Sequence, residues 1–186
     1  MGARAPDATL RHAWVPAADE LDRVLVAASA RGICYLALDP ATALAGLRAW
    51  AQRHAPRCAL REEPRPLAAA VEQLRLYFAG RLQRFELALD LRGTAFQRAV
   101  WSELRAIPFG TTRTYGELAA RLGRPGAARA VGLAAGANPV PVIVPCHRLL
   151  ARAGLGGFSA GVERKRVLLA LEGVLAGRDL FGCPRA

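Results

Sequence analysis

The run Asn138-Pro139-Val140-Pro141-Val142-Ile143-Val144-Pro145-Cys146-His147-Arg148-Leu149-Leu150 limits what this chain can fold into more than any other stretch. Its prolines at 139, 141 and 145 lack backbone donors and hold φ near about −65°, which rules out a helix and makes a poor central strand. The run is therefore a stiff, buried approach to Cys146. There a thiol is followed at once by an imidazole and a guanidinium, groups that favour the thiolate, the form that acts as a nucleophile. A Cys-His pair taken alone is more often a small buried apolar residue beside a satisfied neighbour, so this pair acquires meaning only from its surroundings.

Those surroundings are basic. The formal net charge is +11, and residues 91–186 supply +9 of it with 14 basic and 5 acidic side chains, against 12 and 10 in residues 1–90. A codon bias toward arginine accounts for Lys165 being the only lysine, but not for the asymmetry between halves. A basic half points to a polyanionic partner. Nucleic acid is preferred over membrane because neither a Lys/Arg-rich amphipathic helix nor a run of about 18 apolar residues is present. Cys34, Cys58, Cys146 and Cys183 form no Cys-x-x-Cys pair, and His12 and His54 add no zinc-ligand spacing, so no metal is expected. The N-terminus lacks the apolar core of a signal peptide, and a cytoplasmic location with reduced thiols is expected.

With 186 residues, 53% of them hydrophobic, the chain has material for one domain or two small ones. Arg23 to Ala28 and Gly32 to Leu38 read as a hairpin turning at Ser29-Ala30-Arg31-Gly32. Asp39-Pro40 opens a helix with Leu44, Leu47 and Trp50 on one face, and Arg57 to Pro66 reads as a proline-rich connector. A second helix from about Leu67 carries Val71, Leu74, Tyr77 and Phe78 and stops at Gly80, after which Phe85 to Asp90 alternates like a strand returning to the sheet. Nothing in residues 1–90 has an evident chemical role, so this part is expected to be a small α/β support domain.

The boundary is expected between Asp90 and Thr94. Thr94 is placed to cap a helix running to about Ala106, with Phe96, Val100, Trp101 and Leu104 as its buried stripe. A helix from Tyr115 to Leu122, a break at Gly123-Arg124-Pro125, and a helix from Gly126 to about Ala137 with Pro125 in its first turn have the proportions of a helix-turn-helix. The second of these helices is nearly smooth. Ala128, Ala130, Gly132, Ala134, Ala135 and Gly136 crowd it, and Arg129 is its only charge. Long polar side chains for reading major-groove base edges are missing. Two readings stay open on these residues: a helix that enters the narrower minor groove with one cation as a wedge, or an internal helix whose Arg129 reaches for solvent. Further on, Gly154, Gly156, Gly157 and Gly161 punctuate a loop holding Phe158 and Ser159. Glu163 to Leu171 reads as a terminal helix ending at Glu172-Gly173, and residues 177–186 as a flexible tail.

From Arg92 to Gly173 an ordered series of motifs resembles one family. The series is Gly93-Thr94-Ala95-Phe96-Gln97 with Val100-Trp101, Ile107-Pro108-Phe109-Gly110, Thr114-Tyr115-Gly116-Glu117-Leu118-Ala119 and Ala128-Arg129-Ala130-Val131-Gly132. The run from Asn138 to Arg148 follows, then Gly156-Gly157-Phe158-Ser159 and Leu168-Leu169-Ala170-Leu171-Glu172-Gly173. In that order they resemble the O6-alkylguanine-DNA alkyltransferases, also called methylated-DNA–protein-cysteine methyltransferases.

The resemblance implies an α+β fold: a small ribonuclease H-like α/β support domain over 1–90, and a mostly helical, winged-helix-like domain with a helix-turn-helix over 91–176. It implies direct, irreversible, single-turnover transfer of the alkyl group from O6-alkylguanine (and O4-alkylthymine) in double-stranded DNA to Cys146, by a monomer that flips the base and needs no cofactor. Within it, His147 and Glu172 are the base and its orienter, drawing off the thiol proton through a water. Tyr115 donates to guanine N3, the Ser159 N–H faces O6, and the carbonyls of Cys146 and Leu149 accept from the exocyclic amine. Arg129 takes the place of the extruded base on a helix whose Ala130 and Gly132 permit close approach to the groove. Arg148 and Phe158 belong to the substrate and DNA contacts, and Asn138 is a hinge that joins the motifs by side-chain to backbone bonds. Three departures touch the alkyl pocket and groove contacts: Phe158 stands where many relatives have Tyr, the loop before it is one residue short, and Ala135 replaces an Asn common in bacterial members.

Three other readings compete. A non-catalytic, alkyltransferase-like protein that flags lesions for other repair resembles the same fold but lacks the reactive cysteine. A regulator like the bacterial adaptive-response protein needs a separate four-cysteine zinc domain for which these residues leave no room. A cysteine hydrolase normally keeps its base remote in sequence from the nucleophile.

Overall fold

In this computed structural model, which describes residues 9–17 and 21–175, the chain divides into two units between Arg92 and Gly93. In the first, strands β1 (Thr9–Pro16), β2 (Arg23–Ser29), β3 (Gly32–Ala37) and β4 (Ala59–Glu62) form a sheet in the order β3-β2-β1-β4. β2 and β3 are the expected antiparallel hairpin. β1 pairs antiparallel with β2, Trp14 opposite Leu25, and parallel with β4, Leu10 opposite Leu60. Pattern alone misses β1, because Arg11 and His12 interrupt its apolar alternation; pairing on both edges makes it a strand. Likewise the expected connector over Arg57 to Pro66 contains β4, a four-residue edge strand held by β1.

Helix α1 (Ala43–His54) sets Ala43 and Leu47 on Leu25 and Ala27 of β2. Val24 and Val26 alternate to the opposite face and are equally buried, so the sheet is covered on both sides. Helix α2 (Ala68–Phe78) packs on β1 and buries Leu74, Tyr77 and Phe78, while Val71 stays half-buried.

Residues 85–90 do not form the expected strand. They meet the sheet at a single bridge of Leu89 with Ile33, where the Ile33 N–H donates to Ala88 O at 2.9 Å and the Asp90 N–H to Ile33 O at 2.8 Å. Gly32 permits this approach: its φ is +137°, and a Cβ there would stand 2.3 Å from Ala88 O. The buried Asp90 carboxylate then accepts from Ser29 Oγ at 2.8 Å, Arg31 Nη2 at 2.9 Å and Arg92 Nη2 at 2.7 Å, which fixes the end of this unit.

The second unit opens with α3 (Ala95–Arg105). Thr94 and Gln97 cap it reciprocally, Gln97 N–H to Thr94 Oγ1 at 3.2 Å and Thr94 N–H to Gln97 Oε1 at 2.8 Å. Val100, Trp101 and Leu104 are buried, whereas Phe96 is only half-buried beneath the Arg124 guanidinium, 5.3 Å from the ring centre. Strand β5 (Arg113–Thr114) leads into α4 (Tyr115–Arg121), and a second reciprocal cap, Thr114 with Glu117, makes Tyr115 the first helical residue. Helix α5 (Ala128–Gly136) packs on α3 and α4, and Trp101 Nε1–H donates to Ala134 O at 2.9 Å. Pro125 lies three residues before α5 rather than in its first turn, because a turn through Gly126, φ +93°, intervenes. Strand β6 (Leu149–Leu150) pairs parallel with β5, and α6 (Val162–Leu171) runs to Glu172. The expected tail over 177–186, Cys183 included, lies outside the described residues.

Candidate active site

The proline run folds into two tight turns that aim Cys146. Val142 sits at φ +73°, a left-handed value that is rare and strained for a β-branched residue, and the Ile143 N–H closes the turn on Pro141 O at 3.0 Å. The opposite hand of turn follows at Pro145, φ −80° and ψ 67°, where the Cys146 N–H reaches Val144 O at 2.8 Å. Such strain persists only where neighbours over-determine the backbone. Asn138 does so here. Its Oδ1 accepts from the Val140 N–H at 3.0 Å, and its Nδ2 donates to Val144 O at 2.7 Å and to Cys146 Sγ at 3.2 Å.

Cys146 begins a 3-10 turn with His147 and Arg148, and all three are buried. Burial pushes the Cys146 thiol up to about 11, against the Asn138 bond, its own backbone N–H and the Lys165 charge, which pull the other way. The resting group is therefore a thiol, not the thiolate expected from its neighbours in sequence. Burial is the physical reason, and Arg148 does not offset it because its guanidinium is engaged elsewhere. Its Nε donates to Glu172 Oε2 and its Nη2 to Glu172 Oε1, both at 2.8 Å, while Nη1 bonds Ile107 O. Arg148 does not line the pocket, so the expected substrate or DNA contact by this residue is corrected to an internal brace.

The same carboxylate holds His147, with Nε2 2.8 Å from Oε1, and accepts from the Gly110 N–H at 3.3 Å. Burial opposes ionisation of Glu172, but the His147 and Arg148 bonds outweigh it and hold the carboxyl down at about 2. Burial also lowers the His147 pKa, more than Glu172 raises it, with Arg148 adding repulsion. The imidazole is thus neutral at rest. A neutral ring beside a carboxylate donates Nε2–H to it, leaving Nδ1 as the bare lone pair. That Nδ1 is buried and bonded to no protein group.

Cys146 opens on a pocket of about 590 Å³ walled by Tyr115, by Arg129, Gly132 and Leu133 of α5, and by the loop from Gly156 to Ser159. Tyr115, Arg129, Gly132, Phe158 and Ser159 thus meet at Cys146, while Ala130 is exposed on α5 outside this lining. Asn138, His147, Leu149 and Glu172 are buried and off the pocket wall. Tyr115 Oη donates to Gly157 O at 3.2 Å, and burial with the nearby Cys146 raises its pKa, so the hydroxyl keeps its proton. Gly156, at φ +70°, lets the loop close on this ring: a Cβ there would lie 3.1 Å from Tyr115 Cε2.

Two residues at the site escape sequence reasoning. Lys165, fully buried on α6, donates Nζ to the carbonyls of Leu149, Leu155 and Gly157, and so ties the segment after Cys146 to the glycine loop. Burial lowers its pKa to about 8, against the pull of Cys146. The available signal was its being the chain's only lysine, on the face of α6 that also buries Leu168 and Leu169. Leu133 is 73% exposed on the helix otherwise read as smooth. Among the described residues no group of three or more His, Cys, Asp or Glu side chains is placed to hold a metal ion, and no helix is long and apolar enough to cross a membrane.

A sheet unit followed by a helical unit that surrounds one buried cysteine with a carboxylate-oriented imidazole is the build of a thiol-nucleophile protein. Residues 19–91 match the ribonuclease-like domain of 6-O-methylguanine DNA methyltransferase, and residues 95–174 match its DNA binding domain. The chain belongs to the methylated-DNA–protein-cysteine methyltransferase family. Over 131 residues it is 54% identical to the methylated-DNA–protein-cysteine methyltransferase of Mycolicibacterium paratuberculosis, covering 69% of this chain and 79% of that one. The fold is similar to that of Mycobacterium tuberculosis OGT in complex with DNA, with TM-score 0.73, 40% identity, and 87% and 92% of the two chains covered. It is also similar to the O6-methylguanine-DNA methyltransferase of Pyrococcus kodakaraensis, with TM-score 0.64, 30% identity, and 89% and 100% covered.

Proposed function

We propose that this chain repairs alkylated guanine in double-stranded DNA by moving the alkyl group from O6 to Sγ of Cys146, once per molecule. The observation that carries this reading is Cys146 at the floor of a base-sized pocket whose wall includes the exposed helix residue Arg129. O6 is unreachable in a stacked duplex, so the nucleotide must leave the stack, and Arg129 enters the gap from the minor groove. The excess of basic side chains in residues 91–186 supplies the attraction to phosphates.

The thiol proton passes through a water to His147 Nδ1, and the resulting imidazolium is balanced by Glu172. The sulfur attacks the alkyl carbon in line; the S–C bond forms as the C–O bond breaks, and the electron pair goes to the purine. Tyr115 Oη shifts from Gly157 O to guanine N3 and stabilises that developing anion, while the Ser159 N–H faces O6 and the carbonyls of Cys146 and Leu149 receive the exocyclic amine. The proton on His147 returns to the purine, giving guanine. The thioether has no proton or charge through which to regenerate the thiol, so the reaction is irreversible. Because the thiol is protonated at rest, the nucleophile is released only when substrate fills the pocket. O4-alkylthymine offers the same oxygen–alkyl bond, and we place this activity in a cytoplasmic monomer that uses no cofactor.

Mixing the protein with a duplex oligonucleotide carrying O6-methylguanine and measuring intact mass tests the reading. The expected result is one methyl group per chain, mapped to Cys146. Unmodified protein under excess lesion, or a methyl on Cys34, Cys58 or Cys183, overturns it, and binding without uptake makes the chain a lesion-flagging protein instead.

A further inference from the structure

Tyr115 stands at the very start of α4, a helix of seven residues, where backbone bonds are fewest and a short helix frays first. Leu118 and Ala119 are buried and fasten the middle of the helix to the core, whereas Gly116 and Glu117 are exposed. What fixes the first turn is the reciprocal cap. The Glu117 N–H donates to Thr114 Oγ1 at 3.2 Å, and Glu117 Oε2 accepts from the Thr114 N–H at 2.7 Å and from the Thr114 hydroxyl at 3.0 Å. Those bonds, the backbone one first, hold the Glu117 carboxyl below the usual carboxylate range, so the acceptor is ionised at neutral pH. Thr114 is also paired with Leu150, four residues past Cys146, across β5 and β6. Pairing thus ties Thr114 to the reactive segment, and the cap carries that placement one residue on, to Tyr115.

We infer that Glu117 is a positioning residue for the transfer: through its cap on Thr114 it holds the Tyr115 hydroxyl where guanine N3 arrives. This rests on the proposed function, which puts Tyr115 Oη on that nitrogen. The ring depends on its backbone for aim, because two of its neighbours are glycines: a Cβ on Gly132 would stand 3.7 Å from Cε1, and one on Gly156 3.1 Å from Cε2. Neither position supplies a side chain to wedge the ring. A misplacement of about 1 Å in a group that must meet its substrate costs on the order of a hundredfold in rate. Glu117 itself is exposed and lies outside the lining of the Cys146 pocket, so its reach to the reaction runs through the cap. Charge is not what such a cap requires. Gln97 closes the same motif on Thr94 with an uncharged oxygen.

The test follows methyl uptake from duplex O6-methylguanine and the reaction with free O6-benzylguanine in Glu117→Ala, Glu117→Gln, Tyr115→Phe and the double variant of Glu117→Ala with Tyr115→Phe. Duplex affinity and a thermal melt accompany each. Glu117→Ala is expected to slow both reactions about tenfold at saturating substrate while duplex affinity changes by less than about twofold, since a free base needs the Tyr115 hydroxyl as a flipped one does. Glu117→Gln keeps the acceptor oxygen and should restore most of the rate. In the Tyr115→Phe background no hydroxyl is left to aim, so adding Glu117→Ala should cost no further rate. A merely structural cap predicts the same slowing with or without that hydroxyl. That result, parental rates in Glu117→Ala, or slowing confined to the duplex overturns the inference. So does Glu117→Gln as slow as Glu117→Ala, which would make charge rather than capping the cause. A parent protein that takes no methyl from duplex refutes the proposed function itself, an outcome distinct from all of these.

Discussion

His147 Nε2 lies 2.8 Å from Glu172 Oε1, with both side chains fully buried, so one carboxylate decides which imidazole nitrogen is free to take a proton. Arg148 grips the same carboxylate and leaves the trio nearly neutral overall while His147 is uncharged. The geometry fixes the orientation of the imidazole, which in the proposed reaction is the base.

Glu172→Gln is expected to slow alkyl transfer about a hundredfold or more, since the Nδ1 lone pair loses its orienter and the imidazolium its counter-charge. Removing a negative charge does not raise the Cys146 pKa, so the pH profile of its iodoacetamide alkylation should stay in place or move down. An upward move of that profile together with slowed transfer would instead give Glu172 the role of sustaining a protonated His147.

Acid stability should report the same carboxylate. The folded-state pKa of Glu172 is held at about 2, against an ordinary 4.5. A depressed carboxyl contributes stability that is fully present above the unfolded value and is lost as pH falls through the folded one. Urea midpoints of the parent should therefore decline between about pH 4.5 and 2, and those of Glu172→Gln should decline less over that interval. Equal declines would mean the carboxylate bonds are as good in the unfolded chain.

Lys165→Met should loosen the glycine loop. The ammonium satisfies three carbonyls, and a buried polar group left without a partner costs about 1–3 kcal/mol. We expect a lower melting temperature and at least a tenfold slower reaction with free O6-benzylguanine. Hydrogen exchange gives a sharper readout. Because the Lys165 pKa is about 8, residues 154–161 should be protected at pH 7 and looser at pH 9 in the parent, and loose at both in the variant, after correction for intrinsic exchange. Protection unchanged by either pH or substitution would remove Lys165 from the positioning of this loop.

Arg129→Ala should separate base extrusion from chemistry. Unstacking a base costs a few kcal/mol, and each 1.4 kcal/mol of lost compensation slows a step about tenfold. Repair of duplex DNA should slow by tens to hundreds of times, while free O6-benzylguanine reacts almost as with the parent. Duplex affinity should fall with a salt slope shallower by about one contact. The same slowing with both substrates would assign Arg129 to the fold or to the chemistry at Cys146 rather than to base extrusion.

Much of this was legible locally. Reciprocal caps need only residues three positions apart, and the Thr94 cap was readable; Thr114-Tyr115-Gly116-Glu117 carries the same signal for α4. The hairpin, the stiff proline run and the helix stripes are equally short-range, although Phe96 of the α3 stripe is only half-buried. Strands β1 and β4 were not legible, because a four-residue edge strand exists only through the strand it pairs with.

Sequence alone determined the reactive segment, because prolines and adjacent side chains act within a few bonds: Cys146 had to be followed by His147 and Arg148 in a stiff, non-helical run. Tertiary structure alone decided what those groups do. Arg148 finds Ile107 across 41 residues and Glu172 across 24, Lys165 finds Leu149 across 16, and these distant partners set protonation, because burial and charge pairing depend on separation in space and not along the chain. The same chemistry left unfolded would give an ordinary thiol, an ordinary imidazole and a solvated guanidinium.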